Sequence, residues 1–155
     1  MNIFNPQICL SKYLKASWCC NVSLSNDTNQ IPIDIVQGIP RLRLEHDLNS
    51  KHDWFACAIP VDSSWEASDI SNFDSLNFKL YSDQQVGGLI RLEDSDQNES
   101  LDFDFTNLID LESEVSIKVS LDRFFNKSFD PKKCRLLKII GLKSSAFYIS
   151  EVTLE

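Results

Sequence analysis

The sequence predicts an all-β fold, a single-domain antiparallel β-sandwich over residues 1–155. Three observations carry this reading. Apolar and polar residues alternate over short runs, most cleanly where Leu76, Phe78 and Leu80 interleave with Asn77, Lys79 and Tyr81, the period of a strand with one wet face. Polar turn clusters divide such runs at intervals of about 8–12 residues, giving about eight strands. No stretch carries a long amphipathic helical period, an internal repeat, a low-complexity tract or a linker.

Taken in order, Gln7 to Lys15 reads as a short helix or a first strand. Ala16 to Leu24 is a strand with Trp18, Cys20, Val22 and Leu24 on one face. Ile31 to Val36 alternates but contains Pro32, which cannot donate to a ladder and so predicts an edge or irregular strand. Gly38 and Pro40 mark a turn, and Arg41 to His46 turns Leu42 and Leu44 inward. Trp54 to Val61 is a nearly continuous apolar run, expected to be a central strand covered on both faces, with Trp54 in the core. In the connection that follows, Asp69-Ile70-Ser71 is placed to cap one helical turn.

Ser71 to Phe105 reads as a three-stranded meander. Its strands are Leu76 to Tyr81, Leu89 to Glu93 and Leu101 to Phe105, and Asp94 to Asn98 form a polar hairpin turn. Lys79, Tyr81, Arg91, Glu93, Asp102 and Asp104 then share one exposed face. The remaining strands are Val115 to Val119, Arg135 to Gly141 and Ala146 to Leu154. Leu121 to Phe125 form a surface turn anchored by Phe124 or Phe125.

Composition narrows the function. The chain has 155 residues and a formal net charge of −8, which argues against nucleic acid or an anionic membrane as partner. No apolar run approaches the length of a membrane span. Met1 to Pro6 shows no basic region ahead of an apolar stretch, so the expected location is cytoplasmic, or extracellular if a leader has been removed. Five cysteines, two of them adjacent, and no CxxC spacing suggest free buried thiols in a reducing compartment. Glu93 to Glu114 holds nine acidic residues and no Lys or Arg, whereas Lys118 to Lys143 holds eight basic residues. That split reads either as two solvated surfaces or as an acidic face that meets a basic partner or a cation. No nucleophile elbow, phosphate loop or HExxH motif is present, which argues against catalysis.

The order of motifs resembles a known family. Arg41-Leu42-Arg43-Leu44-Glu45 leads to the Trp54-led apolar strand. Then come Asp69-Ile70-Ser71-Asn72-Phe73-Asp74-Ser75-Leu76, Leu89-Ile90-Arg91-Leu92-Glu93-Asp94-Ser95-Asp96, Val115-Ser116-Ile117 with Leu121-Asp122-Arg123-Phe124, and finally Ala146-Phe147-Tyr148-Ile149-Ser150-Glu151-Val152-Thr153-Leu154. This resembles the galactose-binding-like jelly rolls among carbohydrate-binding modules, and the related domain of the complex I intermediate-associated protein family. The resemblance runs from Arg41 to Glu155. It departs from the family pattern at Gln97-Asn98 (usually a Gly), at Ser150 (usually Asp), and before Val115, where a Trp is replaced by Leu111-Glu112-Ser113-Glu114.

The resemblance implies a non-catalytic module that holds a saccharide on a concave sheet. Sugars need flat aromatic faces and planar polar groups for paired hydroxyls. On the meander face, Tyr81 would be the platform and Arg91, Asp102 and Asp104 the hydrogen-bonding groups, with Lys79 and Glu93 beside them. Trp65, in the polar loop Asp62 to Glu66, is the better exposed second anchor. The same residues also read as a solvated face held by cross-strand pairs such as Arg91 with Asp102, and Trp65 as a plug over the end of the sandwich. Family members often carry a structural calcium. Glu151 matches the acidic position of the last strand, and otherwise reads as a bare surface carboxylate; no other cofactor is implied. His46 and His52 lie beside Asp47 and Asp53 at no standard metal spacing. The alternative function is an intracellular protein-interaction or assembly domain of the same fold that meets a protein partner.

Overall fold

Alternation in the sequence becomes two facing sheets in the computed structural model, which describes residues 1–5, 13–15, 18–20, 30–47, 49–84, 86–142 and 146–155. The strands are β1 (Asn2–Phe4), β2 (Tyr13–Lys15), β3 (Trp18–Cys20), β4 (Gln30–Val36), β5 (Ile39–Glu45), β6 (Trp54–Pro60), β7 (Ser75–Tyr81), β8 (Gly88–Asp94), β9 (Phe103–Asp104), β10 (Glu114–Ser120), β11 (Cys134–Leu142) and β12 (Ala146–Leu154). The first sheet runs β10-β7-β12-β5-β4-β2, with β1 added beside β12; the second runs β3-β6-β11-β8-β9. Every strand pairing is antiparallel. The fold is an all-β antiparallel sandwich.

The inner faces meet through aromatic rings. Phe78 and Phe147 of the first sheet pack edge-on against Phe105, at centroid distances of 6.2 and 5.6 Å, and Phe55 of the second sheet lies 5.8 Å from Phe147. Gly88 and Gly141 are cross-strand partners in the second sheet. A Cβ on either would collide with the ring of Phe105 or Phe55 respectively, so the missing side chains make room for the aromatic layer. The 3-10 turn Leu121–Arg123 buries Leu121 and is followed by Phe124, which is fully buried.

Several expectations change. The three-stranded meander does not form: β7 lies in the first sheet and β8 and β9 in the second. The segment between β7 and β8 crosses the sandwich instead of closing a hairpin. β4 pairs with β2 over Gln30 to Pro32 and with β5 over Ile33 to Val36, so it changes partner just after Pro32, in keeping with an irregular strand. Trp54 is 41% exposed, at the end of β6, against the His52 ring. Asp69 accepts hydrogen bonds from the Ser71 backbone and hydroxyl in a turn that no helix follows. Twelve strands stand among the described residues where about eight were expected; β1, β2 and β9 are too short to show a period. Val22 and Leu24 lie outside the described residues, as do most of the positions Gln7 to Lys15.

Candidate functional site

The first sheet's outer face is opened by a defect in one strand. β12 pairs with β7 from Tyr148 to Leu154, but the register slips between Ile149 and Glu151. Ser150 is therefore the extra residue of a β-bulge, which bends the strand and re-aims its neighbours. On its other side β12 pairs with β5 only over Ala146 to Ile149, and then with β1 at Val152 and Thr153. The sheet thus changes partner strand at the bulge.

Two depressions flank this point. The larger, about 510 Å³, is lined by Met1, Asn2, Asn77, Phe78, Lys79, Ser116, Lys118, Glu151, Thr153, Leu154 and Glu155. The smaller, about 180 Å³, is lined by Asn5, Ile39, Pro40, Lys79, Glu114, Ser150 and Glu151. Lys79 and Glu151 line both, and they form an ion pair at 2.6 Å across β7 and β12. The hydrogen bond to Glu151 raises the Lys79 pKa; burial opposes this, and the Glu151 and Glu114 charges add to the rise.

Behind the smaller depression lies Arg41, 1% exposed. Its guanidinium donates to the Val36 carbonyl and to Glu114 at 3.1 Å, and sits 4.6 Å over the Tyr81 ring. Glu114 also accepts a 2.7 Å hydrogen bond from Ser150. Two buried polar atoms of this face, Arg41 Nε and Asn77 Oδ1, have no hydrogen-bond partner among the described residues. Buried polar atoms ordinarily find one.

The predicted site residues do not gather on one face. Lys79 and Tyr81 point outward from the first sheet, whereas Arg91, Asp102 and Asp104 belong to the second sheet and its flank. Tyr81 is only 6% exposed, covered by Arg41, by Tyr148 at 6.0 Å and by the Gln37 amide at 3.4 Å from its hydroxyl. Burial, the first cause, and the nearby Asp83 and Asp34 charges raise the Tyr148 pKa. Arg91 holds Asp102 in a bidentate pair at 2.6 and 2.9 Å and also contacts Glu99. Lys138 reaches Glu99 at 2.7 Å and also Glu93. Burial pulls the Lys138 pKa down, but the hydrogen bonds to the two glutamates outweigh it and hold it above the usual range. Asp104 accepts from the Thr106 backbone in a local turn. Trp65 is half-buried at φ 67°, in the loop between β6 and β7.

The acidic run is dispersed rather than a face. Asp94 is 1% exposed, and its carboxylate accepts from the backbone of Asp96, Asn98 and Asp130 and from the Asn98 amide. Glu93, Glu99 and Asp102 are tied to Arg91 and Lys138, and Glu114 to Arg41. Among the described residues no group of three or more His, Cys, Asp or Glu is placed to hold a metal ion. The Glu151 carboxylate is paired with Lys79. The His46 ring bonds the His52 carbonyl at 2.8 Å and packs on Phe55. Cys57 and Cys134 are buried; burial, with the Asp94 charge behind it, pushes the Cys134 thiol up to about 12.

Asn77, Ser116, Lys118, Thr153, Glu114 and Ser150 were absent from the sequence-based site. One signal points to them. Inward residues of the last strand step by two from Phe147 to Ile149, then by three to Val152, then by two to Leu154. The step of three marks the bulge.

No protein-family model and no curated protein matches the chain. Solved structures do. A family 30 carbohydrate-binding module of a cellulosomal cellulase of Clostridium thermocellum matches 99% of this chain and 95% of its own, with a TM-score of 0.72 and 16% identity. A second structure of a family 30 module matches 100% of this chain and 98% of its own, with a TM-score of 0.68 and 18% identity. A family 11 module from Clostridium thermocellum, in complex with a β-1,3-1,4-mixed-linked tetrasaccharide, matches 92% of this chain and 94% of its own, with a TM-score of 0.59 and 10% identity. At these identities the likeness establishes the fold, which hosts more than one function.

Proposed function

We propose that this chain is a non-catalytic carbohydrate-binding module that holds a saccharide on the outer face of its first sheet. The observation that carries the reading is the larger depression at the β12 bulge. Its walls supply the amide of Asn77, hydroxyls of Ser116 and Thr153, the ammonium groups of Lys79 and Lys118 and the carboxylate of Glu151. Such a set can bond adjacent sugar hydroxyls as both donor and acceptor. The volume of about 510 Å³ lies in the ordinary range for small-ligand sites. The family 30 and family 11 modules that share this fold bear carbohydrate-binding names, and one was solved with a β-1,3-1,4-mixed-linked tetrasaccharide.

In this reading Lys79 is the central ligand-binding residue, and Arg41 holds Glu114 on the smaller depression beside it, with Tyr81 covered by the Arg41 guanidinium. Arg91, Asp102, Asp104 and Trp65 lie away from the depression. The test is a glycan array followed by calorimetry on the wild type, Lys79→Ala and Arg91→Ala. The expected result is binding that Lys79→Ala weakens at least tenfold and Arg91→Ala leaves unchanged. A wild type that binds no glycan at millimolar concentration would sink the reading.

A further inference from the structure

The two depressions meet at a single ion pair, yet they differ in shape and lining. The larger runs along β7, β10 and β12 toward β1. The smaller sits where β5 begins and β1 ends, bounded by Asn5 on one flank and Ile39 and Pro40 on the other. Its volume of about 180 Å³ is room for about six waters, the scale of one pyranose ring.

We infer that the smaller depression is a side pocket for a single neutral sugar branch, carried on a saccharide whose backbone lies in the larger one. The inference rests on the saccharide reading above and adds to it a preference for branched over linear chains. Three features argue for it. First, the pocket is polar in both senses: Lys79 can donate, while Ser150, Glu114 and Glu151 accept. Ile39 and Pro40 give it an apolar wall for C–H surface. Second, its charges cancel. Lys79 offsets Glu151 at 2.6 Å, and Arg41 offsets Glu114 at 3.1 Å. An acidic branch such as a uronate would lose its hydration beside two carboxylates without a cation of its own, whereas sugar hydroxyls donate well to carboxylates.

Third, the walls are held in place. Glu114 is fixed by buried Arg41 and by Ser150, and Ser150 is fixed by the bulge of β12. Groups held before the ligand arrives lose little freedom on binding.

The test compares array-selected oligosaccharides with and without single-residue branches, titrated by calorimetry into the wild type, Asn5→Trp and Ser116→Trp. Asn5 is a rim residue of the small pocket, and a Trp there would block it; Ser116 lines only the larger depression. Melting temperatures check that each variant folds. The wild type should bind a branched chain about tenfold more tightly than its linear counterpart, the effect of one or two added hydrogen bonds. Asn5→Trp should lose that advantage and keep the linear affinity, and Ser116→Trp should lose both. Equal affinity for branched and linear chains in the wild type, or an advantage that survives in folded Asn5→Trp, would overturn the side pocket and leave the saccharide reading standing. Binding of neither class would overturn the saccharide reading and the pocket with it.

Discussion

The outer faces of the two sheets carry the same kinds of residue and differ in what holds them. On the second sheet Arg91 and Lys138 are register partners on β8 and β11. Each is shared between two carboxylates, Glu99 and Asp102 for Arg91, Glu93 and Glu99 for Lys138. The strands run in unbroken register there from Leu136 to Gly141, so the side chains interlock over a continuous ladder. On the first sheet the bulge at Ser150 and the handover from β5 to β1 interrupt the ladder. Lys79 and Glu151 pair just past the bulge, and a depression lies on each side of them. Charge content therefore does not distinguish the two faces. Register does, because it decides whether polar groups satisfy one another or leave room beside them.

That contrast can be broken at several points. The largest effect is expected at Arg41. Replacing it by Met leaves Glu114 and the Val36 carbonyl without their buried partner and uncovers the Tyr81 ring; breaking such a pair costs several kcal/mol. Glu114 is 29% exposed and water screens part of this, so about 2–3 kcal/mol is expected from urea unfolding.

Asp94 should come next. Asp94→Ala removes an acceptor for four hydrogen bonds, worth about 2–3 kcal/mol together. Burial opposes ionisation of Asp94, but the hydrogen bonds from Asn98, Asp130 and Asp96 outweigh it and lower its pKa. A carboxylate depressed in the folded state adds stability above its unfolded pKa and loses it as pH falls through the folded value. The gap in melting temperature between wild type and Asp94→Ala should therefore be full near neutral pH and close as the pH drops below about 4.

A smaller pair of substitutions sharpens the comparison of faces. Lys138→Met should cost about 1–2 kcal/mol, because the side chain is only 11% exposed, and should leave saccharide affinity unchanged. Lys79→Met, with a side chain 44% exposed, should cost under about 1 kcal/mol and weaken binding about tenfold or more. Unfolding and calorimetry on both variants separate the two roles. The smallest effect is expected at Gln97, which is exposed at φ 67° in the hairpin turn after β8. Gln97→Gly relieves the strain of a left-handed backbone and should stabilise by about 0.5–1 kcal/mol, read as a higher urea midpoint.

Strand positions were legible in the sequence wherever one face met the core over several residues, as at Leu76, Phe78 and Leu80. The Asp94 turn was legible too, because Asp and Asn bond their own backbone whatever the tertiary context. Strand order was not. Alternation within β7 and β8 is the same whether they are neighbours or lie in opposite sheets, and the short polar connection between them suits a hairpin or a crossing equally. The site depended on that order, so Lys79 was separated from Arg91 and Asp102 only by the structure. Arg41 was read as outward, and it is; its burial comes from β7, β10 and the bulge, none of them local to it.

The most direct test is a titration of the isotopically labelled protein with an array-selected oligosaccharide, followed by amide chemical shifts. Saccharide on the first sheet predicts progressive shifts at Asn77, Lys79, Ser116, Glu151 and Thr153, and unmoved signals at Arg91, Glu99 and Lys138. Shifts confined to the second sheet, or none at saturating ligand, would contradict it.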